Sequence, residues 1–258
     1  MDNKASKEGT IMNKKLIGIL LSSTLVSGYS AAGEHVIYEV NGQPYEGYWA
    51  KINNTAPLVL LVHDWDGLTE YEEDRAEMLN EMGYNVFAVD LFGQDVRPTK
   101  VEDKKQHTGE LYKDRATLQA LMNAGLQQAG KLGGNLDDTV VMGYCFGGAA
   151  VLESARAGMN ARGFVSFHGG LGTPEGQNYT QTKAPILVLH GTADTAIPMS
   201  QFAQLAVELE QDGVEHEMIT YSGAPHAFTV FDSKNYREDA DKKSWKAFSE
   251  FLVAKTGK

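Results

Sequence analysis

The 258 residues are 42% hydrophobic and 22% charged, which supplies enough apolar sequence for a sizeable core and lies in the ordinary globular range. A formal net charge of −11 argues against nucleic acid or an anionic membrane surface as a partner. The single cysteine, Cys145, cannot form an internal disulfide, so its thiol is either packed in the core or used in chemistry.

Residues 1–32 are interpreted as a leader, made of a few upstream residues and a signal peptide that starts near Met12. Lys14 and Lys15 precede the apolar run 16–21, and small residues at 30–32 form a cleavage site, an order typical of secretion signals. A membrane anchor and a buried helix are the alternatives, but the run is shorter than the roughly 20 residues that span a bilayer. We therefore expect an exported protein, periplasmic or secreted, without stable membrane association.

Residues 33–258 are expected to form a single domain, because no Pro, Gly or Ser tract divides them. Removing the leader, with its four lysines and two acids, changes the formal charge from −11 to −13. The first two strands form an antiparallel hairpin that turns at Asn41-Gly42, and most later strands are almost wholly apolar, as in a sheet buried on both faces. The predicted strands are 36–40, 45–50, 58–63, 86–90, 139–144, 164–168, 186–190 and 217–221.

Helical patterns alternate with these strands. Ser200 is a suitable N-cap, and Gly83, Gly158 and Gly213 stand where helices should end. The polar stretch 92–107 lacks a helical pattern and is interpreted as a long connection beside the substrate site. The alternation predicts an α/β fold: a mostly parallel, twisted sheet of about eight strands with helices on both faces. The predicted helices are 71–82, 109–128, 146–157, 200–212 and 237–255.

The segment Gly143-Tyr144-Cys145-Phe146-Gly147 joins a strand to a helix through a tight turn. It has the G-x-C-x-G pattern of a nucleophile elbow with cysteine in the place of serine, and its small neighbours let strand and helix approach closely. A lone cysteine among apolar residues is more often part of the core. The complete elbow favours a nucleophile at Cys145, beside a helix N-terminus that stabilises a thiolate.

A hydrolase elbow requires an acid and then a histidine later in the chain, each in a loop after a strand. Asp194 follows the strand 186–190, and His226 follows the strand 217–221. Taken singly, Asp194 could be a turn former and His226 an ordinary loop histidine. Their order after Cys145 predicts a Cys-His-Asp triad.

These motifs resemble those of the dienelactone hydrolase family of α/β-hydrolases, from about residue 36 to 253. The resemblance implies that Cys145 is the nucleophile, His226 the base and Asp194 its orienting acid. It also implies an oxyanion hole formed by the backbone N–H groups of Trp65 and Phe146. Asp64 stands where the family carries a glutamate that contacts the resting nucleophile, so the shorter side chain is expected to take this gating role.

The founding members of that family hold a carboxylated lactone with arginines, and this sequence departs from that pattern. Gln94 and Val230 stand at the expected arginine positions, and Arg97 is a candidate substitute for the first. His168 and Phe228 complete the candidate substrate pocket. We therefore expect a preference for neutral acyl substrates.

No histidine or cysteine cluster has zinc spacing, and the predicted reaction needs neither cofactor nor metal. The expected function is cleavage of a small-molecule ester or lactone through an acyl-enzyme thioester, by a monomer. Two alternatives stay open. One is a general carboxylesterase or thioesterase unrelated to lactones, and the other is a non-catalytic binding protein that retains the fold.

Overall fold

A computed structural model of the chain describes residues 33–258, which fold around an eight-stranded sheet. The strand order across the sheet is β1-β2-β4-β3-β5-β6-β7-β8. The strands are β1 (Glu34–Val40), β2 (Gln43–Ala50), β3 (Pro57–Val62), β4 (Asn85–Val89), β5 (Asn135–Tyr144), β6 (Gly163–Phe167), β7 (Ile186–Gly191) and β8 (His216–Tyr221).

Strands β1 and β2 form the predicted antiparallel hairpin, and its turn residues Asn41 and Gly42 both have positive φ, 52° and 76°. This is the left-handed geometry that a two-residue hairpin turn requires. Strand β2 pairs antiparallel with β4, and every later pairing, from β4 through β3 to β8, is parallel. All eight predicted strands are present, and the mostly parallel α/β architecture is confirmed.

The helices cover both faces of the sheet. Apolar residues of α1 and α6 pack in one core layer, and those of α2 to α5 pack in the other. Alternate residues of β3 serve the two layers: Leu60 points into the second layer and Leu61 into the first. The helices are α1 (Glu70–Glu81), α2 (Val101–Lys113), α3 (Arg115–Lys131), α4 (Phe146–Arg156), α5 (Met199–Gln211) and α6 (Glu238–Thr256).

The region between β4 and β5 differs from the prediction. The stretch predicted as an unpatterned connection over 92–107 contains the first half of α2, and the single helix predicted over 109–128 is two helices. The break is at Asp114, whose φ and ψ of −111° and 77° are not helical and whose Oδ1 accepts a hydrogen bond from the N–H of Thr117. Asp114 is therefore the N-cap of a new helix, which turns the chain without a glycine or proline.

The predicted glycines at the helix C-termini are found, but the predicted N-cap is not. Three helices end as predicted, each with a glycine of positive φ two residues beyond its last residue: Gly83, Gly158 and Gly213. Ser200 is not an N-cap, because α5 begins one residue earlier and Pro198 occupies the cap. Proline fits there because the amide N–H that it lacks would have no partner inside the helix.

The predicted leader, residues 1–32, lies outside the described residues. Within 33–258, none of the helices has the length and apolar character needed to cross a bilayer.

Candidate active site

Cys145 lies between β5 and α4 in a sharp turn, with φ 50° and ψ −110°. The turn depends on the glycines that lie two residues before and two residues after Cys145. A Cβ on Gly143 would come within 2.5 Å of the backbone of Gly147, and a Cβ on Gly147 would collide with the carbonyl oxygens of Val62 and His63. The predicted elbow geometry is therefore present, and it presses the turn against the end of β3.

Two hydrogen bonds connect the three predicted triad residues. His226 Nε2 lies 3.0 Å from Cys145 Sγ, and His226 Nδ1 lies 2.7 Å from Asp194 Oδ2. The structure thus brings together side chains that follow β5, β7 and β8, all at the carboxyl ends of parallel strands. Such an edge is where open α/β sheets place their ligand sites.

The buried carboxylate of Asp194 is held in its ionised form. Burial opposes ionisation, but the hydrogen bond from His226 and those from the N–H groups of Ile197 and Ala196 keep the pKa of Asp194 below its usual value. The same loop is braced by His190, whose Nε2 lies 3.0 Å from the carbonyl oxygen of Ile197. An ionised Asp194 can therefore orient His226 and stabilise its protonated form.

The Cys145 thiol is held neutral at rest. Burial raises the pKa of Cys145, and the carboxylates of Asp64, Asp66 and Asp194 raise it further, against an opposing effect of the Phe146 N–H. A low-pKa thiolate is therefore absent from the resting site. The nucleophile has to be generated by proton transfer to His226 as it attacks.

A group of carboxyls, of which Asp64 and Glu72 are buried and Asp66 is partly exposed, lies on the β3 side of Cys145. Asp64 Oδ1 accepts the Asp66 N–H at 2.9 Å, Asp66 Oδ2 accepts Lys104 Nζ at 2.8 Å, and Glu72 Oε1 accepts the Asp64 N–H at 3.3 Å. Burial, the hydrogen bond shared with Asp66 and the charge of Glu72 raise the pKa of Asp64 well above its usual value. Burial also raises the pKa of Glu72 to about 7.

The two predicted oxyanion donors come from different segments, the start of α4 and the loop after β3. Phe146 is the first residue of α4. Its backbone N–H can donate to the Cys145 sulfur, which lowers the pKa of that thiol. Trp65 lies in the loop after β3, and within residues 33–258 its N–H donates no hydrogen bond. Both backbone groups therefore have donor capacity available for a substrate oxygen.

Arg97 is occupied by its own surroundings. Its Nη1 donates to the carbonyl oxygens of Val96 at 2.9 Å and Gly93 at 3.3 Å, and its guanidinium lies 3.7 Å from Asp90 and 3.9 Å from Glu46. Gln94 lies in the same loop and is fixed through its backbone N–H to Pro44. Neither residue places a free positive charge at the elbow.

His168 and Phe228 both lie beside His226. The His168 ring is fully buried, with its centroid 5.5 Å from that of His226 and 5.3 Å from that of Phe228. Its Nε2 lies 2.8 Å from Thr229 Oγ1, which in turn lies 2.7 Å from the Tyr71 hydroxyl. Burial lowers the pKa of His168 well below its usual value, so the ring is neutral and packs behind the base.

Three residues that the sequence analysis missed belong to this site: Tyr112, Glu72 and Lys104. Tyr112 on α2 is partly buried; burial and Cys145 raise its pKa, and its ring packs on Phe146 with the centroids 5.3 Å apart. The pattern Thr69-x-x-Glu72 is a capping box that sequence alone could have identified. Lys104 could not be placed because the first half of α2, which carries it, was predicted as an unpatterned connection, and Tyr112 could not be placed because its position relative to the elbow depends on the tertiary packing of α2.

Among residues 33–258, no group of three or more His, Cys, Asp or Glu side chains is arranged to hold a metal ion.

Comparisons with known proteins agree with the fold and the family motifs. The model of the dienelactone hydrolase family matches residues 45–255. A protein of Salmonella typhimurium strain LT2, provisionally named a carboxymethylenebutenolidase, is 24% identical over 230 residues, covering 84% of this chain and 85% of that protein. A protein of Escherichia coli strain K12 with the same provisional name is 24% identical over 212 residues, covering 78% of each.

Solved structures show the same architecture. A dienelactone hydrolase-like promiscuous phosphotriesterase from metagenomic libraries has a TM-score of 0.79 at 24% identity, covering 86% of this chain and 98% of that one. Esterase 2 of Thermogutta terrifontis, phosphorylated by paraoxon, has a TM-score of 0.62 at 18% identity, covering 87% and 95%. Structural similarity at such low sequence identity establishes the α/β-hydrolase fold. Because the family model spans most of the sequence, this chain belongs to the dienelactone hydrolase family.

Proposed function

We propose that this member of the family, a hydrolase acting on ester or lactone bonds, works through a thioester acyl-enzyme formed on Cys145. The observation that carries the proposal is the continuous hydrogen-bonded chain from Cys145 Sγ through His226 to Asp194. A nucleophile, its base and an orienting carboxylate in this arrangement are the parts that acyl transfer requires.

In the first half-reaction, His226 Nε2 takes the proton from the thiol as Sγ attacks the substrate carbonyl carbon. The negative charge that develops on the carbonyl oxygen is held by the N–H groups of Trp65 and Phe146. When the tetrahedral intermediate collapses, the carbon–oxygen bond to the leaving group breaks, and His226 donates its proton to that oxygen. Asp194 stabilises the imidazolium during both transfers.

In the second half-reaction, His226 takes a proton from water, and the resulting hydroxide attacks the thioester carbonyl. The carbon–sulfur bond breaks, the acid leaves, and the proton returns to Cys145. Hydrolysis of p-nitrophenyl acetate, measured before and after alkylation with iodoacetamide, tests this cycle. Turnover that is lost in proportion to labelling of Cys145 supports it, whereas turnover by fully alkylated protein contradicts it.

We also propose that the protein is exported and that its leader is removed near Ala32. The basic, apolar and small-residue segments of 12–32 support this, because they occur in the order that secretion signals require. Mass spectrometry of protein recovered outside the cytoplasm is expected to give an N-terminus close to Gly33. An intact leader on soluble cytoplasmic protein would refute export.

Asp64 is proposed to restrain ionisation of Cys145. Burial is the largest cause of the raised pKa of that thiol, and Asp64 contributes more than any other carboxylate. Asp64→Asn is therefore expected to lower the apparent pKa of Cys145 and to speed its oxidation by peroxide, since a nearby negative charge disfavours the thiolate. Iodoacetamide alkylation rates measured as a function of pH give the thiol pKa directly. Asp95→Asn, in the exposed loop before α2, is the matched control, and coincident curves for wild type and Asp64→Asn would refute the role.

A further inference from the structure

His63 follows β3 directly, and its ring is completely buried. Its Nε2 lies 3.1 Å from the N–H of Leu91, and its Nδ1 lies 2.6 Å from the carbonyl oxygen of Asp64. Because the Leu91 amide can only donate, Nε2 must be the nitrogen without a proton, and Nδ1 therefore donates to Asp64. Burial lowers the pKa of His63, which favours this neutral ring. Both ring nitrogens are thus engaged, and the tautomer is fixed.

The carbonyl group that His63 holds belongs to the same peptide unit as the N–H of Trp65. In a planar trans peptide the C=O and N–H bonds point in opposite directions, and residues 33–258 contain no cis peptide. Fixing the direction of the Asp64 carbonyl therefore fixes the direction of the Trp65 N–H. That N–H has no acceptor among the described residues, so its donor capacity is kept for another group.

The ring itself cannot easily turn. The Leu91 contact ties it to the loop after β4, the neighbouring strand, and the Phe92 ring packs edge-on against it with centroids 4.6 Å apart. The Phe146 ring lies 6.1 Å from the His63 ring and packs against Phe92 in turn, with those two centroids 5.6 Å apart. Contacts from two strand ends and from the elbow helix therefore hold the His63 donor in one orientation.

We propose that His63 is a positioning residue for ester hydrolysis. Its hydrogen bond to the Asp64 carbonyl directs the Trp65 N–H toward the oxygen that becomes negative when Cys145 attacks. This inference rests on the proposed function and adds a residue that does not touch the substrate. A donor fixed before the reaction costs no reorganisation when the charge develops, which is the main source of oxyanion-hole catalysis.

Two substitutions separate the contacts of the two ring nitrogens. His63→Asn places an amide N–H₂ near the position of Nδ1, so it keeps a donor for the Asp64 carbonyl and loses the acceptor for Leu91. His63→Gln extends its amide to the position of Nε2, so it keeps the acceptor for Leu91 and loses the Asp64 contact. Each variant loses one hydrogen bond of a buried histidine, so each serves as the stability control for the other.

The experiment measures three quantities on each full-length variant: kcat and KM for p-nitrophenyl acetate, the iodoacetamide alkylation rate of Cys145, and Tm. Loss of one oxyanion donor costs on the order of 10²–10³ in rate, so misdirection of the Trp65 N–H in His63→Gln is expected to lower kcat about tenfold to a hundredfold. KM should change little, since the oxyanion exists only after attack. His63→Asn should retain most of kcat. Alkylation, which forms no oxyanion, should proceed at the wild-type rate in both.

Equal losses of kcat in the two variants, in step with their Tm, would assign His63 a structural role and overturn the proposal. Wild-type kcat in His63→Gln would overturn it as well, and so would alkylation that slows in parallel with kcat. If the wild-type protein shows no hydrolysis that depends on Cys145, the proposed function fails first and this inference fails with it. Cys145-dependent hydrolysis in wild type with any of the preceding results rejects the role of His63 alone.

Discussion

Cys145→Ala is expected to reduce turnover of p-nitrophenyl acetate by about 10⁴-fold or more, to a level set by binding and the oxyanion donors alone. The reason is that no other described residue offers a nucleophile to His226 Nε2, whose hydrogen-bond partner is Sγ at 3.0 Å. The small elbow should keep its fold, because alanine occupies less space than cysteine. Near-wild-type kcat in this variant would end the cysteine-hydrolase hypothesis.

His226→Asn should produce a loss of similar size, because members of a triad act as a unit and their effects do not add. His216→Asn is the matched control, because His216 is a histidine at the opposite end of β8 whose Nδ1 lies 2.7 Å from the backbone carbonyl oxygen of Val214 and not near the elbow. The double variant Cys145→Ala/His226→Asn should be no slower than either single variant. A further drop in the double variant would show that the two residues act independently, against the proposed mechanism.

The second large effect concerns the substrate. The protein is expected to hydrolyse the methyl ester of a dienelactone carboxylate with a kcat/KM roughly a thousandfold above that of the free acid. Burying a carboxylate without a partner costs several kcal/mol, and each 1.36 kcal/mol is a factor of ten. Neither Gln94 nor Val230 can supply the paired charge-assisted contacts of arginine. The carboxylate of Asp66, whose negative charge also raises the pKa of Cys145, would repel the anion further.

Arg97 provides the internal test of this preference. Because its guanidinium already contacts Asp90, Glu46 and two carbonyl oxygens, Arg97→Ala should leave the ratio between ester and acid unchanged. Wild-type preference for the free acid would refute the neutral-substrate hypothesis. Loss of that preference in Arg97→Ala would then identify this arginine as a clamp that leaves its loop when substrate binds.

Much of the fold could be predicted because the strands are short, apolar and separated by longer amphipathic segments. The first half of helix α2 could not, because the helix is mostly polar and only its Thr108 and Leu111 are buried, too few to form an apolar stripe. The boundary at Asp114 was equally hidden, since an aspartate within a helical pattern is as compatible with an exposed helix position as with a cap. Tertiary packing decides both.

The proximity of Cys145, His226 and Asp194 could be predicted because these residues occur in the order of a hydrolase triad, each in a loop after a strand. The cluster of charged side chains around Asp64 could not be predicted. Its other members, Asp66, Glu72 and Lys104, come from a loop and two different helices. The role proposed for His63 was similarly hidden. A histidine after a strand can line a site or support one, and only its contacts with Leu91 and Asp64 distinguish the two roles.

The long separations within the site have a consequence for how the chain acquires activity. Cys145 and His226 are 81 residues apart, and the central pairing of β3 with β5 joins residues 57–62 to residues 135–143. Folds dominated by such non-local contacts form slowly, because loop closure must precede the stabilising interactions. During synthesis the elbow is complete well before its histidine is made. We therefore expect hydrolytic activity to return late in refolding, after the helical signal in circular dichroism has recovered.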